Sequence, residues 1–179
     1  LQIDLFSIPI WIGNIDTSKI ILDTKELKPT FGSELNTTFD DGEGSKVTQD
    51  SIDYLNSVII GQLNNFFKRN YVIDITNIWE NHYNQDDFQE NHIHANSDLS
   101  FIIYKKIKEA RTQFVNPSAK LLDAFYSSCI IKKNILGQEF FVPECRENQI
   151  VIFPSYLEHF VRKTNDAITI AGNLNITFE

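Results

Sequence analysis

The 179-residue chain contains no methionine and only two cysteines, Cys129 and Cys145. Two thiols cannot build a disulfide framework, so both are expected to be free and the fold must rest on its apolar core. Basic residues are outnumbered, with 16 Lys and Arg against 24 Asp and Glu, which leaves a net charge of -8 and a pI near 5.0. That charge repels phosphate backbones and anionic bilayers, so neither nucleic acid nor membrane is expected as a partner. No apolar run approaches the ~20 residues that span a bilayer. The opening residues also lack the basic-then-apolar layout of a signal peptide, so a cytoplasmic location is expected. The start at Leu1 reads as a trimmed or partial form of a translated product. Phosphate-cradling glycine loops, dinucleotide fingerprints and internal repeats are all missing.

What is present is enough for a packed domain. Hydrophobic residues make up 42% of the chain, including 14 Phe, which is too rich for disorder and suits one domain over residues 1–179. Residues 1–12 alternate like a strand, with Pro9 favouring an edge position where no ladder donor is needed. A polar loop is expected from Thr37 to Gln49. Ile52, Leu55, Ile59, Leu63 and Phe66 then recur at the spacing of an amphipathic helix, with Thr48 or Asp50 as N-cap. Short strand-like runs follow at Tyr71–Trp79, Phe101–Ile107, Gln113–Val115, Cys129–Lys133, Glu139–Val142, Gln149–Phe153, Phe160–Arg162 and Ile168–Phe178. Residues 117–127 offer a short second helix. Many short strands without alternating helices read as a sandwich or barrel, a mainly β fold with one or two supporting helices.

Of the four histidines, three border strand-like runs: His92 and His94 in Gln89-Glu90-Asn91-His92-Ile93-His94, and His159 after Phe153-Pro154-Ser155-Tyr156-Leu157-Glu158. Residues i and i+2 of a strand share a face, so His92 and His94 can bind one ion from one side. A jelly roll would bring His159 to meet them at its mouth. Imidazole suits iron, zinc, copper or nickel, and two histidines with a carboxylate and open positions define a non-haem iron(II) site. Here the acid is not evident. The ligand set is three histidines, or Glu90 or Asp98 supplies a carboxylate. Glu90, Asn96 and Glu158 are candidates to support the free ring nitrogens. His82 has no partner at a chelating spacing and reads as structural.

The order of several segments resembles the small iron(II) and 2-oxoglutarate-dependent oxygenases related to prolyl hydroxylases, in a branch found in bacteria and phages. The segments are Leu5-Phe6-Ser7-Ile8-Pro9-Ile10, Asn77-Ile78-Trp79-Glu80-Asn81, Gln89 to Ser97 with Leu99-Ser100, Phe114-Val115-Asn116-Pro117, Phe153 to His159, and Ile168 to Leu174. The resemblance implies a double-stranded β-helix, with His92, His94 and His159 as metal ligands and catalytic centre. It further implies Fe(II) and 2-oxoglutarate as cofactors, and hydroxylation of a small-molecule or peptide substrate.

Two positions depart from that pattern. Ala167 stands where an arginine usually holds the distal carboxylate of 2-oxoglutarate, and Ile103 where a tyrosine usually assists it, with Tyr104 adjacent. Tyr104, Lys106 and Asn173 are the expected cofactor contacts, Lys105 or Lys106 supplying the charge. The departures keep two other readings open. One is a cupin-like three-histidine protein that does not use 2-oxoglutarate. The other is a non-catalytic jelly-roll module with a vestigial site.

Overall fold

The computed structural model describes residues 7–23, 26–30, 35–40, 43–108, 112–119, 139–163 and 166–179. The expected strand at Cys129–Lys133, with Cys129 itself, and residues 120–127 of the expected second helix lie outside them. Within them, two antiparallel sheets face each other as a double-stranded β-helix.

The larger sheet is built around β4 (Tyr71–Tyr83) and β11 (Ala167–Phe178), which pair over nearly their whole length. On the other side of β11 follow β6 (Leu99–Lys106), β9 (Gln149–Pro154) and β1 (Trp11–Asn14). Beyond β4 lie the two-residue strands β3 (Asn36–Thr37) and β2 (Lys28–Pro29), both in stretches where no strand is expected from sequence. The smaller sheet has the order β5 (Gln89–His92), β10 (His159–Val161), β7 (Thr112–Val115) and β8 (Phe140–Phe141). β1 does occupy a sheet edge, but it begins at Trp11, after Pro9 rather than through it.

One helix, α1 (Gln49–Leu63), covers the outer face of the larger sheet. Thr48 caps it, its hydroxyl accepting from Ser51 N, and Leu55, Ile59 and Leu63 are fully buried. Phe66, expected on the apolar stripe, falls beyond the helix end and is half exposed, resting against Trp11 and Phe67.

Strand alternation divides the core in two. Phe101 and Ile103 of β6, Ile150 and Ile152 of β9, and Ile170 of β11 pack with α1. Ile102 and Tyr104, Val151 and Phe153, and Ala171 point the other way, between the sheets, where they meet Trp79, Phe114 and Leu157. Both faces of the central strands are therefore buried, as their continuous apolar runs require. Gly172 lets the strands close up: a side chain there would run into the ring of Phe101 and the carbonyl of Asn77.

Candidate metal centre

The register of the smaller sheet sets His92 directly opposite His159. His94 lies just past the end of β5, not within it as strand alternation suggests. Its backbone N–H donates to Ser155 O at 3.0 Å, tying it to the turn that delivers His159. That turn, closed by Leu157 N to Pro154 O at 2.9 Å, follows directly on β9. A buried chain of side chains secures it: Ser155 and Ser100 hydroxyls lie 2.8 Å apart, and Ser100 donates to Asn173 Oδ1 at 2.8 Å.

The three imidazoles converge. Their ligand-bearing atoms all lie within 4.8 Å of one another, and the Nε2 atoms of His94 and His159 are 3.3 Å apart. Two nitrogens bound to one ion at ~2.1 Å would sit roughly 3.0–3.4 Å apart, so this pair already has chelating separation. A carbonyl oxygen can only accept, so His92 donates its Nδ1–H to Glu90 O at 2.8 Å and His159 its own to Leu157 O at 2.9 Å. Each bond fixes the tautomer that leaves the Nε2 lone pair free for a metal.

Burial is the main reason all three rings resist protonation. It lowers His92, takes His94 to about 4 with help from the charge of His92, and holds His159 well below the ordinary 6.5. At neutral pH the site therefore presents three uncharged nitrogen donors, a set that suits a divalent transition metal. Trp79 lies 5.7 Å from His94, and Phe153 and Phe114 lie 4.8 and 5.9 Å from His159, so one wall is apolar.

No carboxylate joins the group among the described residues. Glu90 contributes its backbone carbonyl to His92. Asp98 is exposed and accepts from Ile176 N at 2.8 Å, tying the start of β6 to β11. Asn96 takes a left-handed turn conformation (φ 62) after His94, and the carbonyl of Glu158 accepts from Val115 N. Neither side chain has a recorded bond to a ring nitrogen.

Inward from the histidines runs a narrow cavity. Tyr104 lines it, with its hydroxyl donating to Thr112 Oγ1 at 3.3 Å. Ile103 does not: it faces α1, so the tyrosine on β6 that looks into the cavity is Tyr104, one position along from the expected one. Lys106 is also absent from the lining. Its ammonium is in an exposed ion pair with Asp166 at 2.7 Å, and that of Lys105 pairs with Glu80 at 2.9 Å. At the rim of the sheet each charge keeps water and a partner, which the cavity would deny it. Asn173 is buried but engaged with Ser100, outside the cavity lining. Ala167 packs with Leu35, Tyr83 and Val161. His82 pairs with Glu80. Cys145 packs, partly buried, against the inner apolar cluster that includes Trp79, Tyr104 and Phe153.

Tyr83, Asn81, Thr112 and Thr169 also line the cavity and were not singled out from sequence. The available signal was polar residues at inward positions: Trp79, Asn81 and Tyr83 alternate along β4, and Thr169 and Ala171 along β11.

Antiparallel sheets closing over three convergent imidazoles define a metal-binding double-stranded β-helix. Residues 77–173 match the model of the family described as "Putative 2OG-Fe(II) oxygenase", where 2OG is 2-oxoglutarate. The match spans more than half of the chain, and the chain belongs to this family. Solved structures agree on the fold. An oxidoreductase of the 2OG-Fe(II) oxygenase family from Burkholderia pseudomallei superposes with a TM-score of 0.51 at 15% identity, covering 84% of this chain and 71% of the other. HygX from Streptomyces hygroscopicus, with nickel, 2-oxoglutarate and hygromycin B bound, gives 0.53 at 9% identity, covering 83% and 73%. A prolyl-4-hydroxylase from Pseudomonas putida gives 0.50 at 13%, covering 84% and 77%. Among curated proteins no sequence match is found.

Proposed function

We propose that this chain is a non-haem iron(II)-dependent oxygenase that couples a 2-oxo acid cosubstrate, 2-oxoglutarate in the family's named form, to oxidation of a small-molecule or peptide substrate. The observation that carries the reading is the convergence of three uncharged imidazoles, two of them held with Nε2 free. His92, His94 and His159 would hold the ion. When bound, iron(II) with a 2-oxo acid supplies the reduction of O2 that hydroxylation needs. The chain's own residues fix the ligands through Glu90 O, Leu157 O and Ser155 O. They exclude water with Trp79, Phe114 and Phe153, and they orient a ligand's inner end with Tyr104 and its neighbours.

The nickel and 2-oxoglutarate bound by HygX support the choice of metal class and cosubstrate class. Hygromycin B bound by that protein, and the prolyl hydroxylase relative, motivate the two substrate classes. The net charge of -8 speaks against a nucleic acid or an anionic membrane, and a single cytoplasmic domain is the reading we adopt. No helix among the described residues is long and apolar enough to cross a membrane.

The test is O2 consumption and CO2 release by the anaerobically iron-loaded chain offered a panel of 2-oxo acids, with His159→Ala alongside. Coupled turnover that the variant loses is the expected result; none with any acid, despite bound iron, contradicts the reading. One observation favours a second reading. With no carboxylate in the ligand group among the described residues, the site also suits a cupin-like three-histidine metal protein that works without a 2-oxo acid.

A further inference from the structure

The inner cavity and the ligand set together speak to what the metal site accepts. Beyond the histidines the cavity is lined by the hydroxyls of Tyr83, Tyr104, Thr112 and Thr169 and the amides of Asn81 and Gln89. Several of these groups already have neutral partners. Tyr83 donates to Gln89 Oε1 at 3.0 Å, Tyr104 to Thr112 Oγ1 at 3.3 Å, and Asn81 Oδ1 accepts from Thr37 Oγ1 at 2.7 Å. Among the described lining residues none is a lysine or arginine. The two lysines at the end of β6 are turned to surface carboxylates.

Against the described lining, a second carboxylate at the inner end would be stripped of water and offered only neutral donors, the case in which a buried charge is poorly compensated. The opposite holds at the metal end. Three uncharged imidazoles cancel none of a divalent ion's charge, where a ligating carboxylate would cancel one unit, so attraction for an anion is concentrated there. Length points the same way. The cavity is about 20 Å3, close to what one water needs, so a ligand reaching inward from the metal must be short or must displace side chains.

From these observations we propose that the cosubstrate position selects a short 2-oxo acid with an uncharged tail, of which pyruvate is the simplest, over the dicarboxylate 2-oxoglutarate. This rests on the metal-centre reading above and names the cosubstrate class of that same site. The head of the acid, a carboxylate beside a ketone, meets the doubly charged ion. Its tail meets Tyr104, Thr112 and Thr169 without needing a counter-ion.

The experiment uses the intact chain loaded anaerobically with Fe(II), with bound iron measured after gel filtration. Pyruvate, 2-oxoglutarate and 2-oxoglutaramate, of the same length as 2-oxoglutarate but with an uncharged amide for its distal carboxylate, are each titrated while the visible charge-transfer band of the chelate and the thermal midpoint are followed. Pyruvate is expected to saturate at a concentration at least tenfold below 2-oxoglutarate, with 2-oxoglutaramate also ahead of the dicarboxylate. Thr169→Lys, which sets a cation at the inner end, is expected to reverse the order for 2-oxoglutarate. If that variant does not fold, the wild-type ranking decides alone. 2-Oxoglutarate binding as tightly as the uncharged acids, or more tightly, overturns the proposal and leaves the oxygenase reading intact. Bound iron with no band from any acid overturns both this selection and the use of a 2-oxo acid, and no bound iron overturns the metal centre itself.

Discussion

Protons and metal ions compete for the same lone pairs on His92, His94 and His159, and burial has already decided part of that competition. Each ring is held neutral below its ordinary 6.5, His94 down to about 4, chiefly because a charged imidazole would lose its water. The unfolded chain suffers no such penalty and takes up protons as the pH falls below about 6.5. Between pH 6.5 and 4 the unfolded state therefore binds more protons than the folded one, so the metal-free fold gains stability as pH rises across that window and loses it as pH falls. The limit is about 1.4 kcal/mol per pH unit for each histidine. Urea denaturation of the metal-free chain at pH 7 and pH 5 should show a lower midpoint at pH 5, and His94→Gln should shrink the difference. An equal or larger difference in the variant would mean that the imidazoles are not the groups refusing protons. The sequence spacing was sufficient to nominate these three residues, since a His-x-His and a later histidine each bordered a strand. Which nitrogen each offers was not readable, because that depends on the carbonyls of Glu90 and Leu157, and a sequence does not show where a carbonyl points.

Elements position the site in two ways, through the turn 154–157 and through the sheet that α1 supports. Ser155 lies at the start of that turn, fully buried, with its hydroxyl against Ser100 and its carbonyl holding His94. Ser155→Ala leaves Ser100 with one partner fewer in a buried chain and should cost about 1–3 kcal/mol of stability. It should also weaken metal binding several-fold, because the turn sets both His94 and His159; unchanged metal affinity in a folded variant would separate the serine chain from the site. Ile59→Ala removes a fully buried side chain on the far side of the larger sheet and should cost about 2–5 kcal/mol. Metal affinity should stay within about twofold, because Ile59 packs in the cluster that excludes the histidines. The helix was legible because Ile52, Leu55, Ile59 and Leu63 recur at helical spacing after the Thr48 cap. β6 was legible as a strand but its facing was not: it is buried on both faces, so alternation carries no sign, and Ile103 and Tyr104 could not be assigned to outer and inner faces. A register shift between Ile168 and Thr169, opposite Lys106 and Tyr104, further hid the fact that Lys105 and Lys106 leave the cavity.

For the molecule as a whole, strands drawn from Trp11 to Phe178 assemble one frame, and its mouth gathers residues 65 positions apart in sequence. The fold class was readable from many short strands with one helix, and the family likeness from the order of short segments. The short pairs β2 and β3 were not, since two-residue strands in polar loops carry no periodicity. The proposed function requires that this frame hold one metal ion on three histidines. The most direct measurement is an anaerobic Fe(II) titration of the intact chain by calorimetry, repeated with His159→Ala and checked by quenching of Trp79, 5.7 Å from His94. One ion per chain is expected, with quenching that saturates at the same equivalence and at least a hundredfold loss of affinity, about 2.7 kcal/mol, in the variant. No binding by the wild type, or binding that His159→Ala leaves unchanged, would contradict it.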